Sequence, residues 1–245
     1  MESSEVGKLT QKAALTRQRI VDAALHLFAT KGYDQTTMRD IAAAANCSLG
    51  LAYRYFASKE ELVLELYQWL ATQLEEQVRL LPAASIADRF RHLMRELLVV
   101  MAPHRLTLVA LSGAALNPLS RAGVFGVEGA EVRRRARASY LILVSEARDA
   151  PRTSQVDDLA TLFYGLQLAL VLFWLQDLSA GAQRTQELLK FVHELLGRLR
   201  PLLRLPWAAQ LVARFVQIVG PLLGREENLA LSQGDQYTFP GEYGE

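Results

Sequence analysis

Between residues 32 and 61 the chain is punctuated so tightly that only short helices fit between its stops and starts. Gly32 follows Lys31 in the way a glycine closes the last turn of a helix, by taking up a left-handed conformation. Thr37-Met38-Arg39-Asp40 has the form of a capping box, so a helix is expected to begin there and run to residue 45. Asn46 then supplies the next stop, because asparagine tolerates the left-handed turn that most side chains avoid. Ser48 caps a third segment over 49–56, and Ser58-Lys59-Glu60-Glu61 reads as a second capping box opening a long helix to about residue 80. Upstream, Ile20, Ala23, Ala24, Leu27 and Phe28 recur at helical spacing and predict a helix over 14–31.

A helix of two turns, a three-residue turn and a second short helix, braced by a helix before them, is the helix-turn-helix plan for placing one helix in a major groove. Here the elements are 38–45, Asn46-Cys47-Ser48 and 49–56. The small residues Ala42, Ala43, Ala44, Ala45, Gly50 and Ala52 allow the two helices, and then a duplex, to come close. Apolar residues make up 51% of the chain and glycine and proline are sparse, so an all-α protein is expected throughout. Pro82, Pro103, Pro118, Pro151 and Pro201 divide the remainder into five or six further helices. The expected organisation is a flexible arm at 1–12, a three-helix DNA-binding domain at 13–60, a larger helical ligand-binding and dimerisation domain at 61–223, and a disordered tail at 224–245.

The motifs Thr36-Thr37-Met38-Arg39-Asp40-Ile41-Ala42, Ser48-Leu49-Gly50-Leu51-Ala52-Tyr53-Arg54-Tyr55-Phe56 and Ser58-Lys59-Glu60-Glu61-Leu62 follow the upstream Phe28 and the Lys31-Gly32-Tyr33 turn. Together they resemble the signature of the tetracycline-repressor family over about 16–66. Two positions depart from it: Asn46 replaces the usual glycine and Cys47 the usual valine. Both are mild changes, since asparagine suits a left-handed turn and a buried thiol packs as a small apolar group.

The resemblance implies that Thr37, Tyr53, Tyr55 and Lys59 reach phosphates. It also implies that Arg39, Ser48, Leu49, Leu51 and Arg54 face base edges, with Arg39 suited to guanine and the leucines to thymine methyls. Thr36 and Gly50, in the same matched stretches, complete the candidate DNA-binding set. For Phe56 the core is the expected place, and Tyr53 is expected to pack its ring and offer its hydroxyl to a phosphate.

The formal net charge is only +1, so contact with DNA requires a local concentration of cations. Residues 7–59 carry eight Lys or Arg against Asp22, Asp34 and Asp40, which leaves the rest of the chain net acidic. The single cysteine, Cys47, excludes an internal disulfide, and the N-terminus lacks the layout of a signal peptide, so a reducing cytoplasm is expected. The apolar stretch 162–175 is interrupted by Gly165 and Gln167 and is read as a buried helix, not a membrane span.

Beyond residue 66 the sequence is read on its own terms. Helices over 157–176 and 184–200 carry broad apolar faces, with Leu159, Leu162, Phe163, Leu166, Leu170 and Phe173 on one and Leu188, Leu189, Val192, Leu195, Leu196 and Leu199 on the other. They are expected to meet their copies across a two-fold axis and form a homodimer. Phe90, Met94, Met101, Tyr140, Tyr164 and Trp174 are candidates to line a cavity for a small, apolar effector, with core packing as the competing reading for each. The arginine-rich run 131–137 spreads around a helix and is expected to be solvated. A last helix is expected within 206–223, capping or extending the dimer.

Catalytic machinery is not legible: there is no nucleophile elbow, P-loop or dinucleotide fingerprint. His26, His92, His104 and His193 are isolated, so neither a metal nor a cofactor is expected. The expected function is a sequence-specific regulator, a repressor released from a palindromic double-stranded operator by a small molecule. An activator with the same DNA-reading head and a helical interaction protein are the alternatives.

Overall fold

The computed structural model describes residues 2–117 and 120–225, and for residues 2–10 and 203–204 the backbone alone. Regular structure among the described residues is entirely helical. The order is α1 (Glu2–Lys31), α2 (Met38–Ala44), α3 (Leu49–Tyr55), α4 (Lys59–Arg79), α5 (Ile86–Met101), α6 (Arg105–Leu116), α7 (Ala130–Ser145), α8 (Thr153–Gln176), α9 (Gln183–Leu199) and α10 (Pro206–Val219). Short 3-10 turns occupy Ala102–His104, Ala180–Ala182, Arg200–Arg204 and Pro221–Leu223.

The punctuation between residues 32 and 61 acts as its chemistry requires. Gly32 has φ +90° and ends α1, while Asn46 has φ +51° and turns the chain between α2 and α3. Thr37 accepts from the amide of Asp40 and its own amide donates to the Asp40 carboxylate, closing the capping box. Ser48 accepts from the Leu51 amide at 3.1 Å. At α4 the box is looser: Ser58 accepts from Glu61, but the Glu61 carboxylate reaches back to the amide of Ala57 instead of Ser58.

Residues 2–12, expected to be a flexible arm, continue α1 as helical backbone. They contain no proline, and extending an existing helix avoids the cost of nucleating a new one. At the other end, the part of the expected tail that is described is not loose: Arg225 binds Asp158 at 2.8 Å and Asp157 at 3.2 Å. Residues 226–245 lie outside the described residues.

Helices α1 to α3 enclose a small core of Ile20, Ala24, Phe28, Ile41, Ala52 and Phe56, joined by Leu62 and Val63 from the start of α4. Because α4 then continues into the larger bundle, it belongs to both units. Helix α7 lies between α4 and α8, which explains why its arginines are not simply solvated. Arg133 and Arg137 are buried, and Arg135 pairs with Glu75 on α4. Arg137 donates to Thr161 and pairs with Asp157, whereas Arg133 donates to the carbonyls of Val124 and Gly126 and leaves its Nε buried without a partner among the described residues.

Two segments, Ile86–Leu116 and Thr153–Gln176, are long and apolar enough to cross a membrane by length and composition alone. In this fold the first is broken by the turn at Pro103 and buries Arg89, and the second buries Asp158 and packs on α7 and α10.

Candidate nucleic-acid interface and effector cavity

Helices α2 and α3 present their outer surfaces beside one another. Arg39 on α2 and Tyr53 and Arg54 on α3 are exposed, with Tyr53 at 50%. Thr37 and Ser48, the two cap residues, are exposed at the helix starts, and Gly50 has open space where a Cβ would stand. Leu49 and Tyr55 are half-buried and pack against the core, and Leu51 is half-buried. Phe56 is buried, and the Arg17 guanidinium lies 4.9 Å from its ring centre.

Two residues of the candidate set are engaged elsewhere. Thr36 is 1% exposed, and its hydroxyl donates to the carbonyl of Gly32 at 2.7 Å, so it closes the end of α1 and does not face outward. Lys59 turns its ammonium inward: Nζ donates to the carbonyls of Tyr33 at 2.9 Å and Thr36 at 3.4 Å and sits 4.2 Å from the Tyr33 ring centre. A cation in a first helical turn is disfavoured by the helix dipole, and here the carbonyls of the 33–36 turn offset that cost. Sequence spacing cannot reveal either contact, because both partners are main-chain oxygens.

The head is fixed by further polar pairs that the sequence reading missed. Arg17 grips Glu65 with two nitrogens at 2.6 and 2.5 Å, tying α1 to α4. Lys31 pairs with Asp40 at 2.7 Å, and together with the Thr37 contacts it holds that carboxyl well below the usual range. The Tyr33 hydroxyl donates to Glu60, and burial, that bond and the nearby Glu60 and Tyr67 push its pKa up. Arg17 and Glu65 stand 48 residues apart, beyond the reach of helical spacing rules.

A cavity of about 150 Å³ opens among α4 to α8 and the loop before α7. Tyr67, Ala71 and Leu74 line it from α4, Met101 from α5, Leu108, Leu111 and Ser112 from α6, and Tyr164, Gln167 and Val171 from α8. Two of the six expected lining residues, Met101 and Tyr164, are therefore in place. Phe90, Met94, Tyr140 and Trp174 are buried in the solid core, where Phe90 packs on Phe163 with ring centres 5.0 Å apart. Buried aromatic residues satisfy the sequence pattern of a cavity wall and of a filled core equally.

Helices α4 and α6 both line the cavity and touch the head. Helix α6 packs on α1, where the Thr107 hydroxyl donates to the carbonyl of Leu25 at 3.1 Å. On α8 and α9, Phe173, Phe191, Leu195 and Leu199 are 38–59% exposed, and Trp207, Leu211, Phe215 and Ile218 along α10 are 52–76% exposed. Leu159, Phe163, Leu170, Leu189 and Val192, expected at a subunit interface, instead fill this chain's own core.

Residues 20–66 match the family described as bacterial regulatory proteins, tetR family. The HTH-type transcriptional regulator AcrR of Shigella flexneri is 36% identical over 69 residues, which cover 28% of this chain and 32% of that protein. An HTH-type transcriptional repressor of Mycobacterium tuberculosis is 41% identical over 69 residues, covering 28% of this chain and 35% of that one. The chain thus spans about a third of the length of these relatives. A tetR-family transcriptional regulator from Streptomyces coelicolor shares the fold with a TM-score of 0.57 and 19% identity, covering 84% of this chain and 89% of that one.

Proposed function

From a chain whose N-terminal head is of the bacterial tetR type, we propose a sequence-specific DNA-binding transcriptional regulator, acting as a repressor that a small molecule releases from its operator. The observation that carries this reading is the pair α2–α3, held in helix-turn-helix form by Asn46 and the two caps, with Arg39, Tyr53 and Arg54 free on its outer surface. Thr37, Tyr53 and Tyr55 are assigned to phosphates, and Arg39, Ser48, Leu49, Leu51 and Arg54 to base edges, with Gly50 admitting the duplex. Thr36 and Lys59 are assigned to shaping the head. The domain limits proposed are a head to residue 60 and an effector and dimerisation body from 61 to 223.

One head reads one half-site, so a palindromic operator needs two copies about 34 Å apart. The apolar surface left open by α8, α9 and α10 supports a homodimer, since patches of this kind rarely stay bare in water. The effector reading rests on the cavity, whose walls α4 and α6 reach the head directly. An occupant that fits one arrangement of these helices better than another shifts the head by that difference in affinity. Such a protein works in the cytoplasm, beside the chromosome.

Salt dependence of binding to an operator duplex tests the assignments. Arg54→Ala should relax base preference at one position, whereas a uniform loss of affinity with the slope of log K against log salt reduced by about 1 would move Arg54 from a base edge to a phosphate. Unchanged affinity and unchanged preference would remove Arg54 from the interface.

A further inference from the structure

A second cleft lies where the turn between α7 and α8 meets the start of α5 and the residue that follows α9. Arg148, Asp149, Arg152 and Arg200 line it, with Ile86 and Pro151 as apolar wall, and it shares no lining residue with the effector cavity. It is also remote from the DNA-reading surface. The 21 residues of α4 run from the head to the turn that leads into α5, a span of about 30 Å.

The wall carries three arginines and one carboxylate, and that carboxylate is already engaged. The Asp149 side chain is 6% exposed; its Oδ1 accepts from the Ile86 amide at 2.7 Å and its Oδ2 from Arg200 Nε at 2.9 Å. Arg148 and Arg152 are exposed and form no ion pair among the described residues. The neighbouring acids do not answer them: Glu146 pairs with Arg89, Asp88 with His193, and Asp157 with Arg137 and Arg225. The cleft is therefore left with two positive charges in excess, which repel one another. A concave wall of one sign concentrates its field and draws in the opposite charge.

The frame beneath these charges is built, not loose. The Arg148 amide donates to the Ala84 carbonyl at 2.9 Å, and the bond from the Ile86 amide to Asp149 runs the other way, so the turn after α7 is tied twice to the approach to α5. Asp149 in turn holds Arg200 by its Nε.

A phosphate group matches this wall in charge and in shape. As a monoester it carries about −1.5 to −2 near neutral pH and presents three acceptor oxygens, whereas a carboxylate would leave one positive charge unanswered. The planar fork of a guanidinium suits two such oxygens at once. At about 390 Å³ the cleft is larger than the effector cavity, with room for an organic body beside the anion. We propose that this cleft binds a phosphate dianion, free or as the monoester of a small molecule, with Arg148 and Arg152 as its principal partners and Arg200 as the third.

Calorimetric titration of the full chain, at fixed ionic strength in chloride, with inorganic phosphate, glycerol 3-phosphate, acetate and glycerol tests this assignment. Both phosphates should bind saturably, acetate at least about tenfold more weakly, and glycerol not at all. Tighter binding of glycerol 3-phosphate than of inorganic phosphate would identify the monoester as the occupant, and equal binding the free anion. Arg148→Ala and Arg152→Ala should each weaken both phosphates by about tenfold or more, since each removes a charge-assisted pair. Arg148→Lys, which keeps the charge and loses the fork, should weaken them less. Arg95→Ala, which removes an exposed arginine of α5 outside the cleft, should change nothing.

Acetate binding as tightly as phosphate would overturn the dianion class. Phosphate binding that survives Arg148→Ala and Arg152→Ala, or falls equally in Arg95→Ala, would overturn the site, as would the absence of saturable binding by either phosphate.

Discussion

The ammonium of Lys59 lies 2.9 Å from the carbonyl oxygen of Tyr33 and 4.2 Å from the centre of the same residue's ring. One side chain at the start of α4 therefore clamps the turn that leads from α1 into α2. Lys59→Ala should destabilise the protein by about 1–2 kcal/mol, the range for a charge-assisted hydrogen bond on a half-exposed group. Tyr53→Ala, at an exposed position, should leave stability within about 0.5 kcal/mol while weakening DNA binding. Urea unfolding of the two variants compares them directly, and equal stability would return Lys59 to the list of free surface cations.

Asn46 holds φ +51° between α2 and α3. Asn46→Gly should be neutral or slightly stabilising, since glycine adopts this conformation without strain. Asn46→Val should cost at least about 1–2 kcal/mol, because a β-branched side chain meets the backbone there. Thermal melts of the two variants should therefore move apart, and a valine variant as stable as wild type would contradict the turn geometry.

Asp40 gains its partners only on folding. Lys31 first, then Thr37, hold its carboxyl below the ordinary range, so the folded pKa is lower than the unfolded one. The associated stability is fully present above pH about 4 and disappears as the pH falls through the lowered folded value. Asp40→Asn should be less stable than wild type at pH 7 and should converge with it in acid. A difference between the two that stays constant from pH 7 down to 2 would rule out the ionised carboxylate as the source.

Thr107 joins α6 to α1 through its hydroxyl and the Leu25 carbonyl. Thr107→Val keeps the shape of the side chain and removes that tie. DNA affinity without effector should change by less than about twofold, while the reduction in DNA affinity caused by an effector should shrink. Fluorescence anisotropy of a labelled operator duplex, with and without toluene as a probe for the apolar cavity, measures both. Full retention of the effector response would exclude this contact from the route between cavity and head.

The local grammar of the head was legible because caps and turn residues act over three or four positions. Thr37, Asp40, Asn46, Ser48 and Gly32 could each be assigned a place from neighbours in sequence. What escaped were contacts closed only by folding. Thr36 resembles its exposed neighbour Thr37 until the Gly32 carbonyl comes within 2.7 Å of its hydroxyl. Arg133 and Arg137 look like members of a solvated run until α7 is placed between α4 and α8. The cavity was harder still, since it is a space left between helices, and Tyr164 at its wall and Tyr140 in the core have the same local signature.

In the proposed function, α2 and α3 of two copies read a specific duplex as a pair of heads. Selection of bound sequences from random duplex DNA, with wild type beside a Tyr53→Ala/Arg54→Ala variant of matched stability, tests it most directly. Wild type should enrich a palindrome with half-sites about one helical turn apart, and the variant should lose it. Failure of wild type to enrich any sequence, or equal enrichment by both proteins, would contradict it.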